Sequence, residues 1–369
     1  MTVQALFERS KEWNRTQAAF SGIAAFDEPM SRHTTFNIGG PADLYLKPDA
    51  ACFVPYTTAL LRLARAQALP VFILGGGANL LVSDKGIRGV VLDTGSWTGD
   101  FAVSKKPEGG SCGDKSCRFL AAAHTKPSCR YWVVQACAAP SLGDSPARPP
   151  LGTPVENNTP AAVHVRFRSG TLTDDAVRWA AANGLSGLED FAGLPGTIGG
   201  AVWMNARCYE RSVSDILIET TFLDERLKRV TVPADSAAFA YKKSPFQGRN
   251  AVILETAVSL HSGDSALIAE RTAVRRAERE TKGHFHYPSA GSVFKNNRDF
   301  GKPAGKIVEE LGLRGFQIGG AQIAPWHGNF IINTGGASAD DVKQLITIME
   351  EKALQTFGLK LEREIIYAG

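Results

Sequence analysis

Val342, Leu345, Ile346 and Met349 recur at i, i+3, i+4 and i+7, which predicts a helix with one buried stripe. Ser338 stands before it as a cap, and Gly358 ends it. Leu60, Leu61, Leu63 and Ala64 predict a shorter helix over 55–68. Thr173 caps a third, DDAVRWAAAN, which stops at Gly184. A fourth begins at Ser265 and runs to 281, with Arg271, Arg275, Arg276 and Arg279 read as a solvated face. Pro303 opens a fifth that stops at Gly312. Strand character falls on 42–48 after a Gly39-Gly40-Pro41 turn, 70–74, LLVSDKGIRGVVLDT up to Asp93, 163–169, 216–223, 251–260 and the closing LKLEREIIYAG. This mixture predicts an α+β or α/β sheet unit, and no fixed period repeats.

The pattern breaks over about 105–160, which holds 8 of the 19 prolines and four of the six cysteines. Such a stretch buries little, so it reads as a partly disordered surface insertion, dispensable for chemistry. Cys112, Cys117, Cys129 and Cys137 lack the paired C-x2-4-C spacing of a structural zinc, so no metal is expected. The chain has 369 residues, enough for two or three domains of about 150. Apolar residues at 44% and charged residues at 21% exclude a disordered chain or a coiled coil. A net charge of +4 gives no footprint of a nucleic-acid binder, but a few cations could line an anionic small-molecule site. No apolar run reaches the ~18–20 residues of a membrane span, and the N-terminus lacks a secretory pattern. With few cysteines in a long chain, the reading is reduced thiols and a cytoplasmic location.

Glycine is in excess, 37 of 369, and clusters in loops. Gly75, Gly76 and Gly77 follow a strand, where glycine lets backbone N–H groups approach a phosphate. The stretch is not G-x-G-x-x-G, because its sixth position is Leu80, and too few residues follow for a crossover helix. A second cluster holds Gly193, Pro195, Gly196, Gly199 and Gly200. Two such loops suggest a long, flat, doubly phosphorylated cofactor between backbone surfaces. Close packing of two strands is the alternative that the residues leave open.

Seven segments, in order, resemble the UDP-N-acetylenolpyruvoylglucosamine reductase family, in its compact subtype: TTFNIGGPAD (34–43), ILGGGANLLVSD (73–84), GLEDFAGLPGTIGGAVWMNA (187–206), YPSAGSVFKN (287–296), AGKIVEELGL with GFQIGGAQI (304–323), HGNFIIN (327–333) and LEREIIYAG (361–369). The resemblance implies an α+β fold: a two-domain FAD-binding module of the vanillyl-alcohol-oxidase/PCMH type over 1–90 and 91–262, then a substrate domain over 263–369. It implies noncovalent FAD held by Gly75, Gly76, Gly77, Ala78, Asn79, Leu80, Gly193, Pro195, Gly196, Gly199 and Gly200. It also implies a reaction of peptidoglycan precursor synthesis. NADPH reduces FAD, and hydride passes from flavin N5 to C3 of UDP-N-acetylglucosamine enolpyruvate to give UDP-N-acetylmuramate. A monomer acting on small molecules, away from membrane and nucleic acid, is expected.

The chemistry asks for charge near the enolpyruvyl carboxylate and a proton for C2. By the resemblance, Ser292 is the proton donor, with Lys295 or another cation lowering its cost, and Glu364 is the C-terminal glutamate. If the closing segment is a strand, Glu362 shares Glu364's face, so alternation does not choose between them. Lys242 stands where the family has arginine, which keeps charge but loses a planar two-pronged grip; Lys243 is the neighbouring alternative. Asn296, Lys306 and His327 are the implied substrate contacts. Arg207 and Glu210 replace family glycines, and Ala78 a common serine. The rivals are a tethered-FAD oxidase, disfavoured because no histidine lies between His33 and His124, and a nucleotide-sugar binding protein without turnover.

Overall fold

The computed structural model describes residues 2–13, 20–99, 101–105, 132–133 and 162–369. Most of the expected insertion, with Cys112, Cys117, Cys129 and Cys137, lies outside the described residues. The fold is α+β, as expected.

The first unit opens with helix α1 (Val3–Trp13), followed by strands β1 (Gly22–Pro29) and β2 (Pro41–Pro48), helix α2 (Phe53–Ala66), and strands β3 (Val71–Leu74), β4 (Leu80–Val82) and β5 (Ile87–Asp93). Its sheet runs β1-β2-β5-β3, with Leu44, Leu46, Val90 and Leu92 packed under α2. LLVSDKGIRGVVLDT is therefore two strands in two sheets. Gly86 breaks it, because at φ +78° an added Cβ would lie 1.8 Å from the Pro41 carbonyl oxygen.

The second sheet combines β6 (Ala102–Lys105), β7 (Trp132–Val133), β8 (Ala162–Arg168), β12 (Leu217–Leu223), β13 (Arg229–Pro233) and β14 (Val252–Ser262), in the order β13-β12-β14-β8-β6-β7. The short strand β9 (Leu185–Ser186) pairs at the end of β14, and β10 (Arg207–Cys208) with β11 (Arg211–Ser212) forms a separate hairpin. Three helices pack here: α3 (Thr173–Ala182), α4 (Ile198–Met204) and α5 (Ser265–Thr281). Thr173 is inside the first turn of α3, and the cap position is Leu172 with no side-chain bond, so the expected cap is one residue off. Glycines within 187–206 masked α4, whose cap is Thr197 accepting from the Gly200 amide. The α5 arginines are not a plain solvated face. Arg275 pairs with Asp190 at 3.0 Å, Arg276 with Asp174 at 2.6 Å, and Arg279 is buried.

The third unit has β15 (Ser289–Ser292), α6 (Ala304–Glu310), β16 (Gln317–Ile318), β17 (Ala321–Ile323), β18 (Phe330–Asn333) and α7 (Ala339–Phe357). Its sheet runs β15-β18-β17-β16. Helix α7 buries Val342, Leu345, Ile346 and Met349, starts with a Ser338–Asp341 capping box and ends at left-handed Gly358, all as expected. The final strand is shorter than expected. Only β19 (Ile366–Ala368) is regular, pairing in parallel with β4, and 359–365 is irregular apart from a Phe294–Arg363 bridge. The C-terminus thus returns to the first unit. Asp84 seals that return by accepting from the Ala339 and Asp340 amides at 2.7 and 3.0 Å, a second cap on α7. No helix among the described residues is long and apolar enough to cross a membrane.

Candidate active site

The two glycine loops touch. A Cβ on Gly76 would lie 2.4 Å from Gly196 Cα, and one on Gly77, at φ +62°, would lie 2.1 Å from the His33 carbonyl oxygen. Gly199 packs α4 against β8, where a Cβ would meet that of Ser169 at 2.6 Å. Close approach therefore explains these glycines. Gly200 is different: its nearest neighbour would be Thr197 Oγ1, at an ordinary 3.5 Å.

Beside the junction opens a cleft of about 970 Å³. Gly75, Gly76 and Thr197 line it, as do the cationic side chains Arg32, Lys47 and Arg178. The other expected cofactor residues, Gly77, Ala78, Asn79, Leu80, Gly193, Pro195, Gly196, Gly199 and Gly200, are not in its wall. Across from the loops, the Tyr45 hydroxyl donates to Asp93, whose other oxygen accepts from the Gly95 amide at 2.6 Å. Burial, and then the Asp93 charge, push the Tyr45 hydroxyl far above its usual range, so it stays a proton-bearing donor. His33 stacks on Tyr45 at 4.1 Å and points Nε2 at Glu28. Thr171 also lines the cleft, and its buried Oγ1 has no partner among the described residues. Sequence reading missed Arg32, Lys47, Asp93 as a cleft wall, and Thr171. The sheet order β2-β5-β3 brings Lys47 and Asp93 beside the first loop.

Lys242 and Glu364 meet nearby, 2.6 Å apart from Nζ to Oε1, with only 13% and 10% of their side chains exposed. Lys242 sits in a tight turn closed by reciprocal Ala240–Lys243 backbone bonds of 3.1 and 3.0 Å. Its φ of +57° is unusual for a non-glycine residue. The C-terminal end of α4 holds that turn. Asn205 Nδ2 donates to the Ala240 carbonyl at 2.9 Å, and Ser244 Oγ to the Trp203 carbonyl at 2.7 Å. Lys243 is exposed.

Glu364 is tied on both sides. Its amide donates to the Val293 carbonyl at 2.7 Å, and its carbonyl accepts from Asn79 Nδ2 at 3.0 Å. Asn79 thus joins the first glycine loop to the C-terminal segment, and Val293 follows Ser292. Ser292 ends β15, partly exposed, after Gly291 at φ +76°. Glu362, by contrast, is 68% exposed and pairs with Lys295 at 2.5 Å. The two glutamates therefore have different surroundings, because the strand whose alternation put them on one face does not form. Lys295 is engaged by Glu362 rather than left to support Ser292.

Asn296, Lys306 and His327 gather around the first turn of α6. Asn296 Oδ1 accepts from the Ala304 amide at 2.9 Å. Lys306 is exposed on the helix, 3.4 Å from Glu309. His327 faces Gly305, where a Cβ would meet its Cε1 at 3.2 Å. Its Nδ1 accepts from the Asn329 amide at 3.1 Å, and burial lowers its pKa, so the ring is neutral with the proton on Nε2. The family-glycine replacements cause no strain of their own: in the β10–β11 hairpin the positive φ, +52°, falls on Tyr209 rather than on Arg207 or Glu210. Burial and a 2.6 Å bond to Glu278 push the Tyr209 hydroxyl up to about 12. Among the described residues no group of three His, Cys, Asp or Glu side chains is placed to hold a metal.

This chain is 36% identical over 367 residues to the UDP-N-acetylenolpyruvoylglucosamine reductase of Treponema denticola, an alignment covering 94% of each chain. The chain belongs to the UDP-N-acetylenolpyruvoylglucosamine reductase family. The enzyme of the same name from Borreliella burgdorferi is 33% identical over 341 residues, covering 92% of this chain and 93% of that one. A model of the UDP-N-acetylenolpyruvoylglucosamine reductase C-terminal domain matches residues 283–368, the part that carries Ser292 and Glu364. The crystal structure of the reductase from Thermus caldophilus superposes with a TM-score of 0.64 at 25% identity, covering 95% of this chain and all of that one. The family match thus spans both the glycine loops and the Lys242–Glu364 pair.

Proposed function

We propose that this chain is an FAD-dependent reductase that uses NADPH to convert UDP-N-acetylglucosamine enolpyruvate to UDP-N-acetylmuramate. The observation that carries the reading is the buried Lys242–Glu364 pair, tied through Val293 to the Ser292 strand and through Asn79 to the first glycine loop.

The cleft fits FAD. It has the volume of a ligand site, cations for a diphosphate, and a buried hydroxyl on Thr171 awaiting a partner. Gly75 and Gly76 present backbone to it, and Arg32, Lys47 or Arg178 would meet the diphosphate. Gly196 backs Gly76 at that cradle, and Ala78, Asn79, Leu80, Gly193, Pro195, Gly199 and Gly200 are assigned to the cofactor by the family resemblance. When bound, FAD supplies two-electron hydride transfer between NADPH and the enolpyruvyl C3.

The chain's own residues do the rest. Ser292 gives the proton to C2 as C3 gains hydride, so the double bond is reduced by one hydride and one proton. Lys242 places a positive charge where negative charge develops on the enolpyruvyl carboxylate, which favours the transition state in a water-poor site, and Glu364 holds the Lys242 ammonium in position. Asn296, Lys306 and His327 hold the nucleotide-sugar around α6. On this reading residues 1–90 and 91–262 form the cofactor halves and 263–369 the substrate part. The enzyme works as a cytoplasmic monomer with noncovalent FAD. Ser292→Ala tests the assignment: flavin reduction by NADPH persists, while substrate-dependent turnover falls about 10²–10⁴-fold. Equal loss of both half-reactions contradicts it.

A further inference from the structure

Two neighbouring residues of the cleft wall break local rules. Leu172 occupies the cap position of α3 and makes no side-chain bond to the helix, although leucine is among the poorest residues for a cap. It is also 49% exposed. One exposed leucine is ordinary on an open surface, but this one lines a cleft. Beside it, Thr171 is 3% exposed, and its Oγ1 has no partner among the described residues. A buried hydroxyl without a partner is destabilising on its own. A Leu172–Thr197 bridge ties this pair of residues to the second glycine loop. Apolar surface continues along the same wall with Trp179, two helical turns further on α3, and Phe101, whose ring lies 4.9 Å from the Trp179 ring. An apolar face next to an unsatisfied hydroxyl suits a nucleoside, which is flat and apolar on its base and polar on its sugar.

The first glycine loop decides which half of a dinucleotide lies here. Gly75 and Gly76 line the cleft, whereas Lys242, Ser292 and Glu364 do not. Asn79, further along that loop, bonds the Glu364 carbonyl at 3.0 Å. A dinucleotide whose reactive ring meets Lys242, Ser292 and Glu364 therefore crosses the loop and leaves its other half in the cleft, where Arg32 and Lys47 face its phosphates. We propose that Leu172 is a nucleobase-binding residue that seats the adenine of FAD, with the Thr171 hydroxyl bonding the same AMP half. The base covers the exposed leucine, and a ribose or phosphate oxygen satisfies the threonine. The inference rests on the proposed function, since it takes the cofactor from that reading.

The test titrates the flavin-free full-length protein with FAD and with FMN, which lacks the AMP half, and reads flavin fluorescence. Leu172→Asn removes the apolar face and supplies a good helix cap, so the thermal midpoint of the flavin-free protein holds or rises. FAD binding weakens about tenfold, and FMN binding is unchanged. Equal weakening of both flavins means that Leu172 meets the flavin half, which overturns the adenine assignment. Unchanged FAD binding overturns it as well. A second variant covers the case in which Leu172→Asn does not fold. Thr171→Val keeps the shape and removes a hydroxyl that has no internal partner, so the thermal midpoint again holds or rises while FAD loses about tenfold in affinity and FMN none. A parent-like FAD affinity in Thr171→Val, or an FMN loss equal to the FAD loss, contradicts the proposal. If the parent protein binds neither flavin, the proposed function fails first, and that outcome is separate from any effect of position 171 or 172.

Discussion

Glu362 and Glu364 are two residues apart, yet one is 68% exposed and the other 10%. That difference decides which can influence bound chemistry. Glu362→Gln is expected to change turnover by no more than a few-fold, whereas Glu364→Gln lowers it about 10²–10⁴-fold; steady-state kinetics distinguishes them. The buried pair also has a stability signature. Lys242→Met strands the Glu364 charge and costs about 3 kcal/mol in denaturant unfolding, and adding Glu364→Gln recovers part of that loss. If the double variant is no more stable than the single one, the pair is not coupled. The choice between these glutamates was not legible from alternation, since 359–365 adopts an irregular path fixed by Val293 and Asn79. Only the family resemblance points to Glu364 in the sequence. The burial of Arg279 was hidden for a related reason: its helix reads as charged, and only packing against Cys208 singles it out.

At the level of elements, the glycine loops serve two physical purposes that sequence merges. Gly76 is required by the close pass of Gly196, so Gly76→Ala forces the backbones apart and costs roughly 1–3 kcal/mol of stability. Gly200 has room for a methyl group, so Gly200→Ala folds with a thermal midpoint near that of the parent. Any loss of FAD affinity in that variant, read by flavin absorbance after dialysis, reports on the cradle rather than on the fold. The open alternative of close packing is therefore correct for some of these glycines and insufficient for all of them. Helix α7 was fully legible, because its stripe, its cap and its terminal glycine agree. Helix α4 was not, because glycines at 199 and 200 lower helix propensity and only packing on β8 repays them. Asp84 is another element-scale device that no local pattern announces. Asp84→Ala removes two bonds to the start of α7 and lowers stability by about 1 kcal/mol in chemical denaturation.

Across the whole molecule, the N-terminal and C-terminal units are joined by short polar bridges. Thr35 donates its amide to the Gly77 carbonyl at 3.2 Å and its hydroxyl to the Ser289 carbonyl at 2.7 Å, linking the first loop to the Ser292 strand. Together with β4–β19 pairing, this makes the N-terminal and C-terminal units one assembly, which alternating residue patterns do not reveal. The same assembly predicts an acid limit. Burial, then the Arg279 charge, lowers the His284 pKa from 6.5 to about 4, so the unfolded chain binds more protons between those values. Stability is therefore fully present above about pH 6.5 and declines as pH falls toward 4. His284→Phe flattens that part of a thermal-midpoint profile, and an unchanged slope removes His284 as its cause. The account as a whole is tested most directly by anaerobic stopped-flow of the purified protein. NADPH bleaches the bound flavin, and added UDP-N-acetylglucosamine enolpyruvate restores its colour with one equivalent of UDP-N-acetylmuramate formed. A flavin that bleaches but stays reduced in the presence of that substrate contradicts the account.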